Sequence, residues 1–398
     1  MLRSLWIGLL AFIVAVVVAV QLLRPVPTVA LRPALPARFT VGGPALNLPW
    51  PAAGQSAVGV AGIGQMGRSG ATAPQPIASL AKMMVALLIL QHHPLGTGQN
   101  GPSVTITPGN VALYQSDLAG QQSVLPVAAG ETLSERQLLQ GLLIPSGNNI
   151  ATLLAQWDAG SERAFVAQMN AEAQSLGLAN THYVDASGVQ NGTTSTAVDQ
   201  LKLAEAVMAI AAFRHTVSMA QTTLPVAGTV YNVNYYLGRG GIIGVKTGST
   251  GAAGGCYVAA AYRTVGTQRV LVLAATLGQG GVQPLQAALQ TGLGLINAAG
   301  SALTTTHPVH GGQLVATLTA PWASPVGVLA PSGVTMVAWP GLSGTRRLVR
   351  AATLGRSVTV GTHIGTLRVT VGQQHAALSL KSAAAIPPPS LWWRLTRL

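Results

Sequence analysis

The run Leu80–Leu90 is apolar at every position except Lys82. A run of that kind predicts a helix buried on nearly all sides, with a core assembled around it. A lysine in that setting is costly unless it is paired or has work to do. Ser79 stands three residues earlier, at the expected start of the helix, where serine is a favoured cap. Residues three apart share a helix face, so the Lys82 nitrogen can reach the Ser79 hydroxyl. Alone, the spacing S-x-x-K arises often by accident. It then means only a capping serine and a lysine whose stem is buried while its head reaches water.

Composition sharpens the point. The chain has 398 residues, of which 8% are charged, against roughly 25% in an ordinary soluble domain. Its lysines are Lys82, Lys202, Lys246 and Lys381, so two lysines in motif-like contexts are not easily put down to chance. The acids all fall between Asp117 and Glu205, and the net charge is +13. That balance suits an anionic surface such as phospholipid or cell wall. The arginines are scattered, with no basic run interleaved with aromatics, which argues against nucleic acid as a partner. The single cysteine, Cys256, excludes an intrachain disulfide, and its apolar context predicts a small buried core residue.

The organisation follows from hydropathy and breakers. Residues 1–24 contain an apolar stretch, Leu5 to Leu23, long enough to cross a bilayer and flanked by Arg3 and Arg24. It predicts an uncleaved signal anchor rather than a signal peptide, although Thr28-Val29-Ala30 resembles a weak cleavage site. Residues 25–47 are proline-rich and predict an extended tether. A globular domain is expected over 48–299. It begins with a strand near Val58–Ile63 and the Ser79 helix. Capping boxes at Thr132–Glu135 and Thr196–Asp199 open helices to about Leu143 and Ala211, and further helices are expected over 149–157 and 162–176. Three apolar strands, near 242–247, 256–263 and 269–277, then suggest a central antiparallel sheet covered by helices, and a helix over 285–298 closes the domain. Residues 300–386 lack a helical period. Short alternating runs at 313–319, 334–339, 357–360, 366–371 and 376–380 predict a small all-β domain. The tail 387–398 can place Leu391, Leu395 and Leu398 on one side beside Trp392 and Trp393, which suits a membrane interface.

Two further stretches join the first. Ser146-Gly147-Asn148 follows the helix breaker Pro145, and Lys246-Thr247-Gly248 lies on an expected strand. An S-x-x-K on a buried helix, an S-x-N at a helix break and a K-T-G on a strand, in that order, form a specific set. It resembles the pattern of the penicillin-recognising serine acyltransferases. The contexts Gly244–Thr250 followed by Ala253-Gly254-Gly255-Cys256, Leu143–Asn148, Met169-Asn170 with Leu176-Gly177, and Thr181 through Gly188 resemble the serine-type D-alanyl-D-alanine carboxypeptidases of peptidase family S11. These are the low-molecular-mass penicillin-binding proteins. The resemblance spans about Val58 to Leu277, with a looser likeness in the β-rich region and the tail. Two departures stand out: Asn149 where the family often has aspartate, and Thr193-Thr194 in place of a histidine–tyrosine pair.

The resemblance implies an α/β (α+β) fold of the penicillin-binding, β-lactamase-like transpeptidase type. This is a five-stranded antiparallel sheet flanked by helices, with a small all-β domain after it. It also implies an enzyme outside the cytoplasmic membrane that removes the terminal D-alanine from peptidoglycan stem peptides ending in D-Ala-D-Ala. β-Lactams would be covalent inhibitors, and no cofactor or metal would be needed. A serine hydroxyl needs a base, and Lys82 is the nearest. To serve, it must spend time neutral, which burial and a second cation such as Lys246 favour. Ser146 would relay a proton towards the leaving amine, and Asn148 would hold Lys82 and the substrate amide. Lys246 and Thr247 would bind the terminal carboxylate, and Gly248 would let the substrate backbone approach. By the same resemblance, the backbone N–H groups of Ser79 and Ser249 form the oxyanion hole. A class A β-lactamase would carry a glutamate in an E-x-x-L-N context, which is missing, so β-lactam adducts are expected to leave slowly. A DD-endopeptidase stays open because the same site can cut a D-alanyl cross-link. Three intact motifs argue against a non-catalytic wall-binding relic. A zinc carboxypeptidase is disfavoured because His307 and His310 lie in a region without carboxylates.

Overall fold

The computed structural model describes residues 2–96, 98–352 and 354–397. It divides into a larger unit, Ala45–Leu303, and a second unit made of Met1–Pro44 with Thr304–Leu398.

The larger unit is organised on a five-stranded antiparallel sheet. Its strands are β1 (Gln55–Val60), β2 (Gly64–Ser69), β3 (Ile242–Thr250), β4 (Gly254–Val265) and β5 (Gln268–Gln279). Their order across the sheet is β3-β4-β5-β1-β2, so the two N-terminal strands complete a sheet begun by the C-terminal three. Alternation along β4 explains why that strand is apolar without a break. Cys256, Val258 and Ala260 join the main core on one face. On the other face a Cβ at Gly292 would come within 2.6 Å of the Tyr257 ring and 3.6 Å of Ala259, so the helix bearing Gly292 covers that side. Both faces are therefore buried, as the apolar runs predict. Cys256 is fully buried, and burial pushes its thiol up to about 11.

In chain order the helices are α1 (Leu2–Leu23), α2 (Lys82–His92), α3 (Pro108–Ala119), α4 (Glu135–Leu143), α5 (Asn148–Ala159), α6 (Glu162–Ser175), α7 (Ala197–Met208), α8 (Ala211–Val217), α9 (Pro284–Ala302) and α10 (Leu391–Thr396). Helix α2 sits at the centre of the larger unit. Every residue from Lys82 to Leu90 is buried, and α2 packs against α4, α5, α6 and α7. The structure departs from several sequence expectations. Helix α3, capped by Thr107 with Asn110 and starting at Pro108, is not foreseen. The cap of α4 is Ser134 with Gln137 rather than Thr132, because Thr132–Ser134 pairs as a strand with Ser103–Thr105. The helix expected to reach Ala211 stops at Met208, and α8 begins anew at Ala211.

The second unit is β-rich and also carries α1, which is exposed along most of its length, and α10. Ala30–Pro33 pairs with Leu314–Ala320, which pairs with Ala323–Leu329. Arg38–Thr40 edges a second sheet through Ser343–Arg350, His363–Val371 and Gln374–Lys381. The expected tether over 25–47 is thus corrected. Its prolines lie beside or at the end of short edge strands, where a missing N–H is tolerated, and Val29 is wholly buried. The run 357–360 contributes only a bridge, Val358 with Ile386. Ser343–Arg350 escapes the alternating pattern because it carries three arginines. One of them, Arg346, lays its guanidinium over the Phe39 ring and donates to Pro308 O at 2.8 Å. In the tail, Leu391 and Trp392 are exposed, while Leu398 lies outside the described residues.

One buried carboxyl yields a stability prediction. Glu135, the first residue of α4, is fully buried, and neither carboxyl oxygen has a partner among the described residues. Burial pushes it up to about 7 from the usual 4.5. Between those values the folded protein keeps a proton that the unfolded chain has lost, so stability falls as pH rises through this window. We expect the melting temperature of Glu135→Gln, relative to wild type, to climb from pH 5 to pH 8. The expected gain is about 1–2 kcal/mol. Parallel curves for the two proteins would show that the carboxyl titrates normally.

Candidate active site

Three segments of the larger unit converge around Ser79. The first is the turn Ala78–Ala81, a short 3-10 helix that leads into α2. Ser79 lies inside this turn and caps neither helix; the cap positions are Ile77 and Ala81. Its hydroxyl is therefore not used up by the backbone, contrary to the capping role the sequence suggests. Ala78 holds φ +49, a left-handed conformation unusual for a residue with a side chain. Gly188 is pressed against it: a Cβ at Gly188 would lie 1.9 Å from Ala78 O. Strand β3 packs on the other side of the same turn. A Cβ at Gly248 would come within 2.9 Å of Ser79 N and 3.0 Å of Ile77 O, so only glycine fits there.

The same stretch supplies Lys82, the first residue of α2. Its Nζ lies 2.8 Å from Ser79 Oγ, 2.6 Å from Asn148 Oδ1 and 3.0 Å from Ser187 O. The last two atoms are carbonyl oxygens and only accept. A neutral amine has two N–H groups for them and a lone pair left for the proton of the Ser79 hydroxyl. Burial holds Lys82 well below its ordinary value, and the nearby Lys246 charge lowers it further, against the opposing pull of Asp185 and Asp117. The arrangement therefore favours the form in which Lys82 can take a proton.

The second segment, Ser146–Asn148, meets the third, Lys246–Ser249, where Ser146 joins Lys246. Lys246, on β3, donates to Ser146 Oγ and to Thr247 O, each at 3.0 Å. It is buried, and burial alone lowers it to about 7. Ser146 takes φ +67, the second strained residue of the site, at the break before α5. Asn148, the first residue of α5, points Oδ1 at Lys82 and donates from Nδ2 to Gln122 Oε1 at 2.6 Å. Thr247 and Gly248 are buried in β3, and Ser249 is exposed just beyond them.

All eight residues singled out from the sequence lie on these three segments. Both departures from the family pattern have structural work. Asn149 Oδ1 accepts from Leu125 N and its Nδ2 donates to Leu125 O, each at 2.9 Å. An aspartate could make only the first bond. Thr193 donates from Oγ1 to Asp185 Oδ1 at 2.5 Å and accepts from the N–H groups of Val184 and Asp185. Asp185 also accepts from Ser187 Oγ at 2.7 Å and Val189 N at 2.9 Å, which fixes the turn carrying Ser187 O. Sequence reasoning missed Gln122 and the carbonyl of Ser187. Neither sits in a motif; the nearest signal was Gly188, in the stretch Thr181–Gly188.

Together these atoms set one hydroxyl against an amine that burial keeps neutral and a second hydroxyl against a second buried lysine, beside an edge strand of the sheet. That is the equipment of acyl transfer through a serine ester. Gly248 is taken up by the Ser79 turn and not, as expected, by space for a substrate backbone.

A family described as D-alanyl-D-alanine carboxypeptidase matches residues 67–278. A D-alanyl-D-alanine carboxypeptidase of Streptomyces sp. (strain K15) is 34% identical over 176 residues, covering 40% of this chain and 60% of that protein. A D-alanyl-D-alanine endopeptidase of Escherichia coli (strain K12) is 31% identical over 193 residues, covering 46% and 58%. The chain thus spans less than two thirds of the length of these relatives. Among solved structures, a peptidoglycan synthesis regulatory factor (PBP3) from Streptococcus pneumoniae superposes with a TM-score of 0.62 at 21% identity, covering 84% of this chain and 99% of that one. At that identity the likeness speaks to fold alone.

Proposed function

Because the chain belongs to the D-alanyl-D-alanine carboxypeptidase family, we propose that it removes the terminal D-alanine from peptidoglycan stem pentapeptides through an acyl-enzyme on Ser79. The observation that carries this reading is the Lys82 nitrogen 2.8 Å from the Ser79 hydroxyl, buried and held between two carbonyl oxygens. Ser79 Oγ attacks the carbonyl joining the two D-alanines while Lys82 takes the hydroxyl proton. Lys246 and Thr247 bind the terminal carboxylate, and Asn148 donates to the substrate amide carbonyl. The N–H groups of Ser79 and Ser249 receive the developing oxyanion, each such donor being worth about 3 kcal/mol in the barrier. Ser146 passes a proton to the leaving nitrogen, D-alanine departs, and water cleaves the ester. β-Lactams enter by the same attack and remain as the ester.

The test is release of free D-alanine from a stem pentapeptide, run beside cleavage of a D-alanyl cross-linked muropeptide. Release from the pentapeptide supports the carboxypeptidase reading. Cleavage of the cross-link alone would move the chain towards the endopeptidase activity named for one relative. No cleavage of either would overturn both.

The two lysines give this reading a pH signature. Lys82 must be neutral and Lys246 charged. With Lys246 lowered to about 7, the free enzyme loses its carboxylate-binding cation above that pH. The value of kcat/KM should then rise on the acid side as Lys82 loses its proton and fall above about 7. In Lys246→Arg the guanidinium stays charged, so the fall should move to higher pH even if the maximum is lower. The same alkaline fall in both proteins would show that Lys246 is not its source.

A membrane-anchored placement with the catalytic unit on the cell-wall side is part of the proposal. It is supported by the Ser4–Leu23 helix, whose mean hydropathy is 2.7. The C-terminal tail engages the end of that helix. Arg397 donates to Gln21 O at 2.9 Å and to Pro25 O at 3.2 Å, Arg394 donates to Leu22 O, and Gln21 donates to Arg397 O. The residues around the weak cleavage site are folded in, with Val29 N donating to Gly355 O at 2.8 Å. Both features favour retention of the anchor.

A further inference from the structure

Asn148 has a side-chain amide with two jobs in the proposed reaction, and only one of its two ends is fixed by Lys82. The Lys82 nitrogen donates to Oδ1 at 2.6 Å, which settles which way the amide is turned. The Nδ2 group then carries two N–H bonds. One goes to Gln122 Oε1 at 2.6 Å, and no other partner of Nδ2 is found among the described residues. The second N–H is left for a ligand. Gln122 is half-buried on the segment that follows α3. That segment is held firmly: Gln121 takes the left-handed φ of +55, Gln122 N donates to Asp117 O at 3.0 Å, and Asn148 N donates to Ser123 O at 2.8 Å. The acceptor that reaches Asn148 is therefore built into the fold and is not a loose surface side chain.

We infer that Gln122 is a positioning residue: by accepting one N–H of Asn148, it sets the plane of that amide so that the other N–H meets the amide carbonyl on the acyl side of the substrate. This rests on the acyl-enzyme reading above and extends it to the recognition of the residue preceding the scissile bond. A free primary amide pivots about its last bond. One fixed at Oδ1 by the Lys82 amine and at Nδ2 by a second amide does not, and a hydrogen bond to substrate then costs less ordering. Gln122 touches neither the serine nor the scissile bond. Its influence should appear only with ligands that carry the amide carbonyl.

Two β-lactams separate the cases. Benzylpenicillin has an exocyclic amide carbonyl beside the ring, whereas 6-aminopenicillanic acid has the same bicyclic core with a bare amine. Second-order acylation rates of the full chain should be measured for both, with melting temperatures alongside. In Gln122→Ala we expect acylation by benzylpenicillin to fall about 10-fold while that by 6-aminopenicillanic acid stays within about 2-fold, because one hydrogen bond is affected. Gln122→Glu keeps an acceptor at the same reach and should restore the wild-type ratio between the two ligands. An equal loss with both ligands, or no loss with either, overturns the inference, the first showing a general structural role and the second no role. If wild type is acylated by neither ligand, the acyl-enzyme reading itself fails.

Discussion

Ser79→Ala will lose at least about 10⁴-fold in D-alanine release and will form no ester with a β-lactam. The size follows from what the hydroxyl does. The oxyanion donors and the carboxylate site remain in the variant, yet no covalent intermediate can form on alanine. The substitution should leave the fold intact. Ser79 caps neither adjoining helix, and the removed oxygen is bonded by Lys82, which keeps Asn148 Oδ1 and Ser187 O. A melting temperature near wild type with activity gone is the expected pair of readings. Activity within tenfold of wild type would mean that another residue is the nucleophile.

Lys82→Met should lose about 10³- to 10⁴-fold. Methionine nearly matches the lysine stem in shape but has no nitrogen, so Ser79 keeps its proton. The stability result should run the other way. Lys82 is fully buried, and its ammonium form is disfavoured by burial and by Lys246. An apolar replacement removes that cost, although it leaves two carbonyl oxygens without a donor. The melting temperature should therefore hold or rise while activity falls. Serine and lysine act as one unit, so the double variant should be no worse than Ser79→Ala alone. Losses that multiplied would indicate that Lys82 serves another step.

How much of this was legible in the sequence depends on how local each feature is. Ser79 and Lys82 are three residues apart, and the buried lysine announces itself by its neighbours. The apolar strands Ile242–Thr250, Gly254–Val265 and Gln268–Gln279 show their burial on both faces in the same way. The meeting of Asn148 with Lys82 and of Lys246 with Ser146 spans 66 and 100 residues, and no spacing rule carries that; only the combination of motifs pointed to it. Gln122 and Ser187 act through an amide and a backbone carbonyl in irregular segments, which leave no pattern to read. Thr193 and Asn149 looked like losses from a motif, yet their bonds to Asp185 and Leu125 show that each supports a loop of the site. In the β unit, prolines concealed the Ala30–Pro33 strand and arginines concealed Ser343–Arg350. Both are edge or half-exposed positions where alternation of apolar residues is weakest.

The central claim, that Ser79 is an acylated nucleophile served by Lys82, is tested most directly by trapping the ester. The full chain should be incubated with a fluorescent penicillin, followed by gel, intact mass and peptide mapping, with Ser79→Ala alongside. The predicted result is one adduct per wild-type chain, on the peptide carrying Ser79, and none on the variant. No adduct on a folded wild-type protein, or an adduct that persists in Ser79→Ala, would contradict the claim. The first outcome would leave a wall-binding chain with an idle site.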